Sequence, residues 1–299
     1  MISGGDGSSH CPTCSCWKKK ARKNDRFSEL PDHLLRRILS FIDSKLAVQT
    51  CALSPRWRSV WKGVPVLNLD TKSFNNSNEL HQFVSGIISS RHDSAPIHEI
   101  SVEIGRQIDY DDVKYNEIGG ELFAYATSHG IRRLHAVDPW TGFLCRADFS
   151  MVATLHLEGT RLDCPGGRRI EPFAGFPNLR DLTLNGCDWL DDDGIRGPNE
   201  DPHLTISGKR LRNLRIQDTF ASKLEIFAPN LESFIACQNC WSPKFGEFDL
   251  PSLDRAYVGF EADDMFSDVF AKRLVKLFRR LHRAKTLALH SDTVEVVGD

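Results

Sequence analysis

No run of apolar residues reaches the ~18 positions a membrane-spanning helix needs, because charged side chains interrupt every hydrophobic stretch. The chain therefore reads as soluble, without a bilayer span. It also lacks an excess of either charge: 38 Lys and Arg stand against 40 Asp and Glu, a net charge of −2. No whole-molecule field draws it onto nucleic acid or anionic lipid. The nine cysteines are odd in number and irregularly spaced, and no apolar leader follows Met1. That excludes a secreted disulfide scaffold and points to a reducing compartment, nucleus and/or cytoplasm. In that setting the glycosylation pattern at Asn75-Asn76-Ser77 has no consequence. Motifs for chemistry are missing too: there is no G-x-S-x-G, no H-E-x-x-H and no phosphate loop, and the eleven histidines are scattered. The sequence assigns no catalytic residue, no metal ligand and no cofactor.

The first 26 residues have almost nothing apolar to bury, being Gly/Ser-rich and then basic from Lys18 to Arg26. Residues 1–24 are expected to be a disordered tail. Cys11-Pro12-Thr13-Cys14, with Cys16 and His10, offers zinc-like spacing, but the second C-x-x-C, Cys237 to Cys240, lies far along the chain, beyond the few tens of residues within which structural sites pair. The basic run suits a nuclear import signal or a solvated tail, and its single aromatic neighbour, Trp17, is too little for nucleic-acid reading.

What the chain does contain is 40% hydrophobic residues over 299 positions, enough for a core without staples. Ser28-Glu29-Leu30-Pro31 reads as a helix start, with Ser28 as cap and proline in the first turn. Leu30, Leu34, Ile38 and Phe41 follow at helical spacing, widened by Leu35 and Ile42. A second short helix fits Lys45 to Leu53. A third starts at Ser54-Pro55 and places Trp57, Val60, Trp61 and Val64 on one stripe. Three helices in about 40 residues bury their own apolar faces poorly, so the unit is expected to dock on a partner.

Beyond residue 64 the pattern becomes apolar-x-x-apolar-x-apolar, which puts the last two apolar residues on one face of a strand. Five such units end at Leu69, Val102, Leu157, Leu184 and Ile216, and four more, each counting one alanine, end at Ala136, Ala236, Val258 and Leu289; the nine recur on average every 27.5 residues. That lies in the leucine-rich-repeat range. Three residues after the strand end come Thr160, Cys187, Thr219 and Asn239, where such repeats place a polar ladder. The expected fold class is α/β: a small three-helix unit over 25–64, then an irregular solenoid over 65–299 of short parallel strands with helices or loops on the outer face. An amphipathic helix near 264–283 is expected to cover the open end. Its basic face, Lys272 to Arg283, reads as solvated. The acidic run at Asp188 and Asp191 to Asp193 fails as a calcium loop, since Trp189 falls where the first carboxylate belongs.

The stretch Asp25-Arg26-Phe27-Ser28-Glu29-Leu30-Pro31-Asp32-His33-Leu34-Leu35, through Ile38-Leu39-Ser40-Phe41 to Leu53-Ser54-Pro55-Arg56-Trp57-Arg58-Ser59-Val60-Trp61, closely resembles an F-box. Followed by degenerate leucine-rich strands, it looks like the plant F-box/leucine-rich-repeat proteins, without the FBD domain that some of them carry. Two positions depart from the motif: Asp43-Ser44-Lys45 lacks the proline many members have there, and Pro55 stands in place of a basic residue. The resemblance implies a non-catalytic substrate receptor of a cullin-based ubiquitin ligase, docking a Skp-type adaptor, and through it cullin, while the repeats hold an unidentified target protein. The alternative is a repeat scaffold or ligand sensor outside any ligase. Carried over, Leu30, Pro31, Leu34, Leu35, Ile38 and Leu39 would face the adaptor from the first helix, and Trp57 and Trp61 from the third.

Overall fold

The computed structural model describes residues 26–91, 95–104, 113–137, 148–163, 169–190, 203–219, 221, 223–238, 244–260, 268–291 and 293–294. The amino-terminal tail with its cysteines and basic run, Asn239 and Cys240, and the acidic loop at 191–200 lie outside them.

Nine strands form one parallel sheet: β1 (Val66–Asp70), β2 (Glu99–Glu103), β3 (Arg133–Val137), β4 (Thr154–Glu158), β7 (Asp181–Asn185), β10 (Asn213–Gln217), β12 (Ser233–Gln238), β14 (Arg255–Phe260) and β15 (Thr286–Leu289), in that spatial order. The register follows the sequence pattern, because Leu69, Val102, Ala136, Leu157, Leu184, Ile216, Ala236, Val258 and Leu289 are partners in one continuous row across the sheet. A one-residue slip would turn every inward pair outward, so burial fixes the register. The leading apolar residues, from Val64 and Ile97 to Leu253, are buried behind the strands.

The outer layer changes character along the solenoid. Helices α5 (Ser77–Ser90) and α6 (Val113–His129) cover the first coils. In the middle coils the chain returns through strands, which differs from the expected helices or loops. The strands β6 (Arg169–Ile170), β9 (His203–Ser207), β11 (Lys223–Phe227) and β13 (Lys244–Asp249) make a second, four-stranded parallel sheet, and β5 (Arg161–Asp163) pairs with β8 (Asp188–Leu190). The physical reason is alternation at period two in β9 and β11, where Leu204/Ile206 align with Leu224/Ile226; in β13 an irregularity in the pairing brings Phe245 and Phe248, three residues apart, opposite Leu224 and Ile226. The two sheets meet in one core, where the rings of Phe234 and Phe248 stand edge to face at 6.1 Å. Between the helical and stranded coils, Phe123 contacts Phe149 at 5.7 Å and Phe149 stacks on Phe176 at 4.9 Å.

After β4, β7 and β10 the chain turns through Gly159, Gly186 and Asp218, all at positive φ, in the same place in three successive coils. Each amide still donates to the next strand: Gly159 to Asn185 O at 2.8 Å, Gly186 to Gln217 O at 2.9 Å and Asp218 to Cys237 O at 3.0 Å. The next residues, Thr160, Cys187 and Thr219, are the buried polar ladder; Cys187 Sγ donates to Leu157 O and Asn185 O at 3.6 Å. Burial pushes the Cys187 thiol up to about 11.

Helix α7 (Asp268–Arg280) buries Leu274 and Leu277, with Leu281 just beyond it, and packs beside β13. It thus extends the outer layer rather than covering the open end: Leu287 of β15, in the inward-facing row, remains 41% exposed. No helix among the described residues is long and apolar enough to cross a membrane.

Candidate adaptor interface and solenoid face

The amino-terminal unit is built from α1 (Arg26–Glu29), α2 (Asp32–Leu39), α3 (Ser44–Gln49) and α4 (Trp57–Val60), with 3-10 turns after α3 and α4. The single first helix expected from Ser28 is divided at Pro31. Proline biases Leu30 away from helical geometry, and Pro31 itself is extended, with ψ of 151°, as the residue before α2. The third helix likewise starts at Trp57, after a turn in which the Trp57 amide donates to Ser54 O.

The apolar band of α2 splits into two stripes. Leu35 and Leu39 point into the core, with Ile42 packed behind them, while Leu34, Ile38 and Phe41 face outward at 41%, 39% and 71% exposure. Of ten large apolar side chains that are exposed among the described residues, six (Phe27, Leu34, Ile38, Phe41, Leu46 and Leu53) belong to this one segment. Scattered exposed apolar residues are ordinary, but such a concentration marks an interaction surface. Pro31 is exposed beside them and Leu30 is half-buried.

The tryptophans differ from the expectation. Trp57 and Trp61 are each 7% exposed, and with Leu35, Leu39 and Val60 they join the core that runs on into the solenoid. Their area is taken up chiefly inside the unit itself, beside α2 and the 3-10 turn after α3, in a core continuous with that of the solenoid. Of the eight positions matched to the adaptor-facing motif, Leu34, Ile38, Pro31 and, in part, Leu30 are on the outside; Leu35, Leu39, Trp57 and Trp61 lie beneath them and hold them in place.

Polar contacts lock this arrangement. Arg56 donates to Leu30 O and, at 2.6 Å, to Asp32 Oδ1, pinning the start of α2 onto α4. Asn68 of β1 donates through its side chain to Ser40 O and Ile42 O at 3.0 and 3.2 Å, and its amide donates to Ser44 Oγ at 3.0 Å. Lys45 reaches Glu79 at 2.8 Å and Ser73 O at 2.5 Å, above the Phe74 ring. Glu79 also accepts from the Asn75 amide and side chain, while Asn76 caps α5 through the Glu79 amide at 2.9 Å. Lys45 and Asn75 together hold the Glu79 carboxyl at about 2, below the usual carboxylate range. The Asn75-Asn76-Ser77 triplet is thus a helix start. Buried Arg91 closes the next coil, donating to Tyr125 Oη at 3.1 Å and Val64 O at 2.5 Å.

The open face of the nine-stranded sheet carries the residues between the inward pairs. Its central row runs Asn68, Ser101, His135, His156, Thr183, Arg215, Ile235, Tyr257 and Ala288. Where the later strands begin, Arg180, Lys209, Arg210 and Arg212 surround a groove of about 350 Å³, with Glu232 3.3 Å from Arg212. Sequence patterning gave no sign of this groove, because its residues come from separate coils.

Residues 27–69 match the F-box domain. An F-box/FBD/LRR-repeat protein of Arabidopsis thaliana is 39% identical over 171 residues, which are 55% of this chain and 36% of that protein. A second protein of that description is 36% identical over 120 residues, 40% of this chain and 25% of its own length. An F-box/LRR-repeat protein of the same plant is 24% identical over 319 residues, 91% of this chain and 80% of its own length. The chain thus spans about a third and a quarter of the first two relatives. The chain thus carries an F-box with an apolar outer stripe, joined to a solenoid of parallel strands, and is similar to Arabidopsis thaliana proteins described as F-box/LRR-repeat proteins.

Proposed function

We propose that the chain is the substrate-recognition subunit of a Skp–cullin–F-box ubiquitin ligase, leading its target to ubiquitination and degradation. The observation that carries this reading is the gathering of exposed apolar side chains on the F-box, in the stripe Leu34, Ile38 and Phe41 and beside it. A Skp-type adaptor would take Leu30, Pro31, Leu34 and Ile38, with cullin bound through it, and Leu35, Leu39, Trp57 and Trp61 would support that face from below. The open sheet face and the basic groove would hold a protein target. In this reading the chain performs no bond chemistry: it raises the local concentration of a target lysine near a loaded conjugating enzyme, acting by proximity. The site of action would be the nucleus and/or cytoplasm.

The test is co-purification with a Skp-type adaptor and cullin, comparing wild type with Leu34→Glu/Ile38→Glu. Both positions are exposed in the free chain, so the double variant keeps its fold and loses the complex. If the folded double variant still binds, the outer stripe is not the interface. If wild type does not bind, the chain is a repeat scaffold working outside a ligase.

A further inference from the structure

Donors from two adjacent strands, His135 on one and His156 and Glu158 on the other, meet on the open face of the sheet. His135 of β3 and His156 of β4 are register partners, and Glu158 follows two residues later on the same face of β4. The two imidazoles stand nearly perpendicular with centroids 4.5 Å apart, and His156 Nε2 lies 3.6 Å from Glu158 Oε2. One ligand atom from each residue lies within 4.8 Å of the other two, and all three side chains are half-buried.

We propose that His135, His156 and Glu158 bind a divalent transition cation of the zinc type, tying β3 to β4 and leaving a coordination position open toward whatever occupies the solenoid face. Two imidazoles and a carboxylate suit zinc and its neighbours rather than magnesium or calcium, which prefer oxygen alone. Metal–ligand distances of about 2.0–2.2 Å in a tetrahedron require donors ~3.4 Å apart, and side-chain torsions on a fixed sheet cover the remaining ~1.5 Å. Three protein ligands leave a fourth place for water or for a side chain of a bound protein. The neighbours fit this role. Ser101 Oγ lies 3.1 Å from His135 Nδ1 and fixes that ring's orientation, as outer partners of ligating histidines do. Glu99 and Glu103, on the neighbouring strand, add negative potential around His135. The inference does not depend on the ligase reading and would stand with or without adaptor binding.

The experiment is a Co²⁺ titration of the metal-free full chain followed by its visible spectrum, since cobalt reports its ligands and the nine cysteines could compete for it. Wild type should take up one equivalent without a thiolate charge-transfer band. His156→Ala should lose that equivalent, and Glu158→Gln should weaken it at least tenfold, both with unchanged near-ultraviolet dichroism. Independently of any variant, added Zn²⁺ should shift the imidazole NMR resonances of His135 and His156 in wild type. Uptake only with a thiolate band, equal uptake by His156→Ala, or unshifted imidazole resonances would each overturn the proposal.

Discussion

The Asp43 carboxylate joins two structural units: Oδ1 accepts the Lys45 amide at 2.8 Å at the start of α3, and Oδ2 accepts the Asp70 amide of β1 at 3.1 Å. The F-box and the first solenoid coil thereby share one residue's hydrogen bonds. Removing an N-cap costs about 1 kcal/mol, and leaving a part-buried amide unpaired costs about 1–3 more. Asp43→Ala should lower stability by roughly 2–4 kcal/mol in urea unfolding, and Asp43→Asn should recover most of the cap. The position where many F-boxes have proline is thus one where this chain makes a contact that proline could not.

The division of the α2 band predicts opposite consequences for adjacent leucines. Leu35→Ala leaves a cavity in the core and should cost about 2–5 kcal/mol, whereas Leu34→Ala should change stability by less than about 0.5 kcal/mol. Trp61→Ala should resemble Leu35→Ala and cost about 3–5 kcal/mol. Chemical denaturation of the isolated chain measures all three. Equal losses at Leu34 and Leu35 would mean the outer stripe is not free.

Burial on α2 was only partly legible in the sequence, for a physical reason. The 30/34/38/41 and 35/39/42 stripes are both apolar, and helical periodicity cannot say which is covered by the chain itself when a partner may cover the other. The nine main strands were fully legible, register included, because each inward pair sits behind a third apolar residue at fixed spacing. The outer strands β9, β11 and β13 carry only two inward residues each, too little pattern to separate from loops. The His135–His156–Glu158 cluster exists only through the register of β3 with β4, and spacing along one chain does not encode it.

The ion pair between Lys45 and Glu79 carries a pH signature. Glu79 has a folded value near 2 against an ordinary 4.5, so its unfolded form takes up a proton first on acidification. A depressed carboxyl contributes stability that is present above the unfolded value and is lost as pH falls through the folded one. Wild type should therefore exceed Glu79→Gln in unfolding stability above pH about 4.5, with the margin shrinking to nothing by about pH 2. A margin independent of pH would show that the capping geometry of α5, not the charge, stabilises this junction.

The turn after β7 offers the sharpest test of the repeat geometry. Gly186 has φ of 59°, and a Cβ built there meets only the Gly159 backbone, at 3.7–3.8 Å, an ordinary contact. Crowding therefore contributes little, and what an alanine would face is left-handed backbone strain, about 1–2 kcal/mol. Gly186→Ala should lower unfolding stability by that amount, while Gly186→Asn should cost less, because short polar side chains tolerate this conformation and Asp218 already occupies it one coil later. The same strain would pull on the neighbouring ladder residue. Cys187 is fully buried and its thiol is pushed up to about 11, so in the native wild type it should resist alkylation at neutral pH, followed by peptide mass spectrometry. In Gly186→Ala the amide that donates to Gln217 O shifts, the ladder opens locally, and Cys187 labelling should accelerate roughly in proportion to the stability lost in that coil. Loss of stability without faster labelling would place the strain elsewhere than in the turn.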